Sequence, residues 1–188
     1  SPSNHKYDSQ DYDYIDPHYG VIVEDGGECL PEWDNNNAHA SKYIQRVVNK
    51  KNLEASNEFF ARFVTEVHRG GMKIILDGVF NHCGSFNKWL DRERLYEQME
   101  GYEKGAYISA DSPYRSFFKF NYEHGWPYNE YYDGWWGHDT LPKLCYEQSE
   151  KLEEYILYIA RKWLEPPFSV DGWRLDVAAD LGFSGEYN

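Results

Sequence analysis

Between residues 57 and 69 the apolar residues Phe59, Phe60, Phe63, Val64 and Val67 recur at the spacing of one helix face. Ser56 or Asn57 is suited to cap the start of that helix, and Gly70-Gly71 to end it. The pattern then changes. Ile74, Ile75 and Leu76 run on without alternation into Asp77, as in a strand covered on both faces, predicted here over residues 74–80. A second helix is predicted from about residue 150 to 164, with Leu152, Ile156, Ile159 and Trp163 on one face, Ser149 as cap and Pro166-Pro167 as terminator. A strand over residues 169–177 follows. Helix, strand, helix and strand, with one long interruption, predict parallel strands in a repeating α/β unit.

The interruption, residues 83–148, is too long for a plain loop in a compact domain. It is also too aromatic for disorder, which leaves a subdomain or a lid. Residues 21–55 carry less signal. Gly26-Gly27 and the Asn35-Asn36-Asn37 run suggest surface loops, and no role is assigned to that stretch.

Composition narrows the function classes. The chain has 188 residues, enough to bury a substantial core, and 41% of them are hydrophobic. No apolar run is long enough to cross a membrane, and no charged-then-apolar signal opens the chain. A net charge of −13 argues against a nucleic-acid partner. Cys29, Cys83 and Cys145 lie far apart, so neither a zinc site nor a disulfide framework is signalled. Aromatic residues make up 18% of the chain, and many crowd between Trp89 and Tyr146. Such residues serve cores and interfaces, and their faces also complement the C–H face of a pyranose.

Candidate chemistry sits at the ends of the two predicted strands. Arg174 and Asp176 are two residues apart on a strand and therefore share a face. A cation beside a carboxylate keeps it ionised, as a carboxylate nucleophile requires; the same pair alone would also serve as a structural ion pair. Asp77, Asn81 and His82 gather at the C-terminal end of the other strand, where parallel sheets build their sites. Alone, that group would also serve as a capped turn.

Together the two stretches resemble a known family. Asp77-Gly78-Val79-Phe80-Asn81-His82 and Gly172-Trp173-Arg174-Leu175-Asp176 resemble the first and second signature regions of the α-amylase family of glycoside hydrolases, which end its third and fourth barrel strands. Asn4-His5-Lys6-Tyr7-Asp8 through Asp11-Tyr12, with Ile15-Asp16-Pro17 and Gly20, resembles the family's loop after the second strand. Trp135-Trp136-Gly137 with Leu141-Pro142-Lys143-Leu144 resembles the end of the inserted subdomain in its cyclomaltodextrinase and neopullulanase branch.

The resemblance implies an α/β fold: a partial (β/α)8 TIM barrel around the third and fourth strands, with an irregular subdomain inserted after the third. Residues 1–82 and 149–188 would be barrel, and 83–148 the insertion. It implies retaining hydrolysis of maltooligosaccharides, cyclodextrins, pullulan or starch. Asp176 would be the nucleophile, with Arg174 orienting it. His82 would bond the sugar next to the scissile bond, and Tyr7 would stack on that sugar. Trp135 and Trp136 would line the substrate cleft, and Asp77 would support the substrate site by bonding Arg174. No cofactor is required. Asn81 is a candidate calcium ligand or else shapes the loop, while Ala179-Asp180 stands where many members have Lys-His, a pair that contributes a sugar contact and a backbone calcium ligand, which puts both in question here. A transglycosylase or a sucrose- or trehalose-active relative shares these residues, and a non-catalytic binding barrel is the reading from another class.

The family's acid is a glutamate on the next strand, and neither Asp180 nor Glu186 is far enough along to reach one. A whole barrel takes about 250 residues. The 188 residues therefore read as a fragment whose general acid lies beyond residue 188, inactive by itself. Its strand edges would be open to self-association. The branch resemblance and lack of a signal favour the cytoplasm.

Overall fold

A computed structural model describes residues 2–181. The chain divides into two compact units. One comprises Ser1–Gln10, Leu76–Ala160 and Trp173–Asn188; the other comprises Asp11–Ile75 and Arg161–Gly172. The elements that matter are helices α1 (Ser41–Val48), α2 (Lys50–Arg69) and α3 (Glu150–Leu164) and strands β1 (Ile75–Gly78) and β2 (Gly172–Leu175).

The second-named unit holds α1 and α2. Asn49 separates them and caps α2, its side chain accepting from the backbone N–H groups of Lys51 and Asn52. This differs from the expected start at Ser56 or Asn57. Both of those lie inside the helix, where their polar groups serve the chain that precedes it. Asn57 Oδ1 accepts from Ile15 N at 2.9 Å, and Ser56 Oγ accepts from Val21 N at 3.0 Å. The fully buried Asn52 does most, accepting from the N–H groups of Val23 and Glu24 at 2.7 and 2.8 Å and donating to Glu24 O at 2.8 Å. The buried stripe of α2 accordingly runs Leu53, Ser56, Val64, while Phe59 and Phe63, expected on the apolar face, are exposed. Trp163 and Phe168 close this unit's core, their rings 4.4 Å apart, and Trp163 Nε1 donates to Tyr12 O at 2.9 Å.

α3 forms as its periodicity predicts. Leu152, Ile156, Ile159 and Trp163 are all buried, and Ser149 Oγ accepts from Leu152 N at 3.2 Å. The two strands are shorter than expected and pair directly. Asp171 N donates to Ile74 O at 2.8 Å and, five residues on, Asp176 N donates to Gly78 O at 3.1 Å. Both partners advance together, so the pairing is parallel. β1 was expected to be covered on both faces; instead Ile75 is 65% exposed and Asp77 is exposed beside it. Asp171 also clasps the strand entry within its unit, its Oδ2 accepting from Ile74 N and His68 Nε2, each at 2.8 Å.

Between β1 and α3 the chain is irregular, with short 3-10 turns at Arg115–Phe117, Trp135–Gly137 and Tyr146–Gln148. Its packing is aromatic. Trp89 is fully buried, with Phe117 and Tyr155 edge-on at 5.1 and 5.3 Å.

Candidate active site

The candidate site residues lie in one unit, and the Arg174 guanidinium joins Asp77 to Asp176. Arg174 Nη1 lies 2.9 Å from both carboxylate oxygens of Asp77 and 2.7 Å from Asp176 Oδ1. The strand alternation explains this. Arg174 and Asp176 project from one face of β2, and Trp173 projects from the other, where its indole packs 5.2 Å from Phe80. The two carboxylates push the arginine further above its usual range, Asp77 contributing most. The Tyr7 ring lies 5.9 Å from the guanidinium and is partly exposed.

His82 is held by contacts within the chain. It is 1% exposed, and its Nε2 lies 3.1 Å from the Tyr7 carbonyl oxygen. A carbonyl only accepts, so Nε2 carries the proton, and Nδ1 receives the Asn81 amide Nδ2 at 3.3 Å. Burial, the largest influence, pulls the histidine below its ordinary value, against the opposing pull of the Tyr7 carbonyl, Asp176 and Asp8. His82 is therefore neutral at pH 7 and fixes the main chain that carries Tyr7.

A small antiparallel ladder sets the histidine in place. Cys83 N donates to Pro142 O and Leu144 N to Asn81 O, each at 3.0 Å. The Leu141-Pro142-Lys143-Leu144 segment pairs in turn with Gly134, through Trp135 N to Leu141 O at 2.9 Å and Lys143 N to Asp133 O at 2.9 Å. The result stacks the Trp135 indole on His82, with centroids 5.0 Å apart and planes 10° from parallel. Trp136 is 69% exposed, in a left-handed backbone conformation with φ of 52°, and its indole lies 5.7 Å from that of Trp135.

Calcium fits poorly. Asn81 Oδ1 is buried without a hydrogen-bond partner, which would suit a cation. A calcium ion takes six to eight oxygens, whereas among the described residues no group of three or more His, Cys, Asp or Glu side chains is placed to hold a metal.

Two residues to which sequence reasoning gave no part in holding the site belong here. Gly84 lets the Tyr7 segment approach, since a Cβ there would sit 2.6 Å from the Asp8 carbonyl oxygen, and its N–H donates to Ser9 O at 2.9 Å. Asp180, four residues past Asp176, accepts the Trp135 indole N–H at 3.0 Å. A glycine just after His82-Cys83 was the available signal for the first. The second gave none.

Comparison with known proteins follows the same residues. Residues 54–187 match the family described as alpha amylase, catalytic domain. The chain is 31% identical over 183 residues to the intracellular maltogenic amylase of Bacillus subtilis (strain 168), covering 96% of this chain and 22% of that protein. It is 33% identical over 181 residues to neopullulanase 2 of Thermoactinomyces vulgaris, covering 96% and 23%. Among solved structures, a Nostoc punctiforme debranching enzyme superposes with a TM-score of 0.56 at 27% identity, over 96% of this chain and 28% of that one. The chain thus spans under a quarter of the length of these two curated relatives.

Proposed function

The chain belongs to the alpha-amylase catalytic-domain family of glycoside hydrolases, and from that membership we propose that it is the nucleophile-bearing part of a retaining α-glucan hydrolase. Its strands would be the third and fourth of a (β/α)8 barrel. Asp176 attacks the anomeric carbon and forms the glycosyl-enzyme bond, while the leaving oxygen takes a proton from an acid outside residues 1–188. Arg174 orients the attacking carboxylate and compensates its charge; Asp77 holds Arg174 from the other side. Tyr7 offers its ring to the sugar beside the scissile bond, and His82 holds the Tyr7 segment where that ring is needed. The exposed Trp136 extends the sugar-stacking surface.

The observation that carries this reading is the single Arg174 nitrogen bonded to Asp77 and Asp176 on the face that also presents Tyr7. Substrates follow from the relatives' names: starch-derived oligosaccharides, cyclodextrins and pullulan. The relative named as intracellular supports action in the cytoplasm. Among the described residues β1 and β2 pair only with each other, and edges left open in this way support self-association of the chain by itself.

The test is reducing-end release from maltooligosaccharides by this chain, by a C-terminally extended form and by the extended form's Asp176→Asn variant. Activity is expected only in the extended form, and the substitution should lower it by roughly a thousandfold or more. Activity in the short chain would reject the missing acid. An unimpaired Asp176→Asn variant would reject the nucleophile, and intact sugar binding without hydrolysis in every form would favour a binding protein.

A further inference from the structure

The segment that follows the nucleophile strand is joined to the sugar-facing aromatic side of the site by one carboxylate. Asp180 stands on a turn closed by its own N–H to Val177 O at 2.9 Å, with Val177 in a left-handed conformation at φ of 42°. From that turn its Oδ2 accepts the Trp135 indole N–H at 3.0 Å. The indole lies flat on His82, and His82 Nε2 donates to the Tyr7 carbonyl. Three side chains and one carbonyl from four separate stretches of sequence thus form one chain of contacts. The indole is thus restrained at its edge by the Asp180 carboxyl group and on its face by the His82 ring.

We infer that Asp180 is a positioning residue that acts through Trp135 to hold His82, and with it Tyr7, in register with Asp176. The inference rests on the functional reading only for its consequence on sugar binding; the linkage itself is independent of it. Acceptance of the indole N–H is the property that matters, so an asparagine, whose Oδ1 accepts equally well, substitutes for the aspartate.

The experiment compares Asp180→Ala, Asp180→Asn and Trp135→Phe in this chain by NMR and by maltotriose titration. Asp180→Ala is expected to move the His82 ring resonances and the Tyr7 amide and to weaken maltotriose binding about tenfold. Trp135→Phe, which keeps an aromatic ring but has no N–H, is expected to move the Tyr7 amide and weaken binding in the same way, and it serves alone if the alanine variant does not fold. Asp180→Asn is expected to restore all three readouts. Unmoved Tyr7 and His82 resonances in Asp180→Ala would overturn the inference, as would an asparagine variant as perturbed as the alanine. Should the parent chain bind no maltotriose, binding is read in the C-terminally extended form, where its absence would sink the functional reading, and the resonances alone decide the linkage.

Discussion

At the residue scale, what could be read in advance were the groups whose chemistry and spacing are local. Arg174 and Asp176 share a face because strand geometry dictates it, and Asp77 meets them across one parallel pairing. Gly84 and Asp180 were illegible for the opposite reason: their importance comes from approaches made by distant segments. Gly84 yields a sharp prediction. A methyl at that position meets the Asp8 backbone 2.6 Å away, which cannot yield as a flexible side chain would. Gly84→Ala should therefore displace the Tyr7 segment, cutting maltooligosaccharide affinity about tenfold and lowering the unfolding midpoint as well. Isothermal titration beside thermal unfolding checks both halves.

Asp91 is a second residue-scale case. It is fully buried and accepts from the N–H groups of Leu95 at 2.7 Å and Tyr96 at 3.2 Å. Burial outweighs those bonds and raises its carboxyl to about 7. The sign follows. A raised carboxyl binds its proton in the folded state at pH values where the unfolded chain has released it, so stability falls as pH rises from about 4 to about 7 and is level above that. Asp91→Asn keeps an acceptor for both amides and removes the titration. Denaturant unfolding at several pH values should show the parent losing stability relative to the variant across that window; parallel profiles would refute the assignment.

At the element scale, the contrast between α3 and α2 shows which helices announce themselves. α3 buries Leu152, Ile156, Ile159 and Trp163, an apolar stripe at helical period with a serine cap, and its limits are legible. The first half of α2 buries Asn52 and Ser56 instead, so hydrophobic periodicity picks up only its second half. α1 lacks a capping side chain at Ala40 and is hidden entirely. The buried amide is a strong structural commitment. Replacing Asn52 by alanine strands the N–H groups of Val23 and Glu24, each worth about 1–3 kcal/mol when left unbonded. Asn52→Ala should thus cost about 2–4 kcal/mol in denaturant unfolding, far more than Asn57→Ala on the same helix. Equal losses would show that the buried amide carries no special weight.

At the scale of the whole molecule, the α/β character and the parallel strands were legible because the run Ile74-Ile75-Leu76 and the segment around Trp173 each follow a helix. The open β1 face was not, since a continuous apolar run looks the same whether or not its neighbours are present. Among the described residues β1 and β2 pair only with each other. Parallel strands are ordinarily buried on both faces, yet Ile75 is 65% exposed, and Leu175 on β2 is exposed as well. An uncovered strand edge with an apolar residue on it templates pairing with a second copy, and a net charge of −13 opposes that pairing at long range, more weakly as salt screens it. Association of this chain should therefore rise with both protein and salt concentration. Ile75→Lys places a charge on the edge and removes the apolar contact, so sedimentation velocity should show its association weakened about tenfold or more. A parent chain that stays monomeric at high salt, or a lysine variant that associates as readily, would mean that the open edges are protected by something other than their neighbours in a complete sheet.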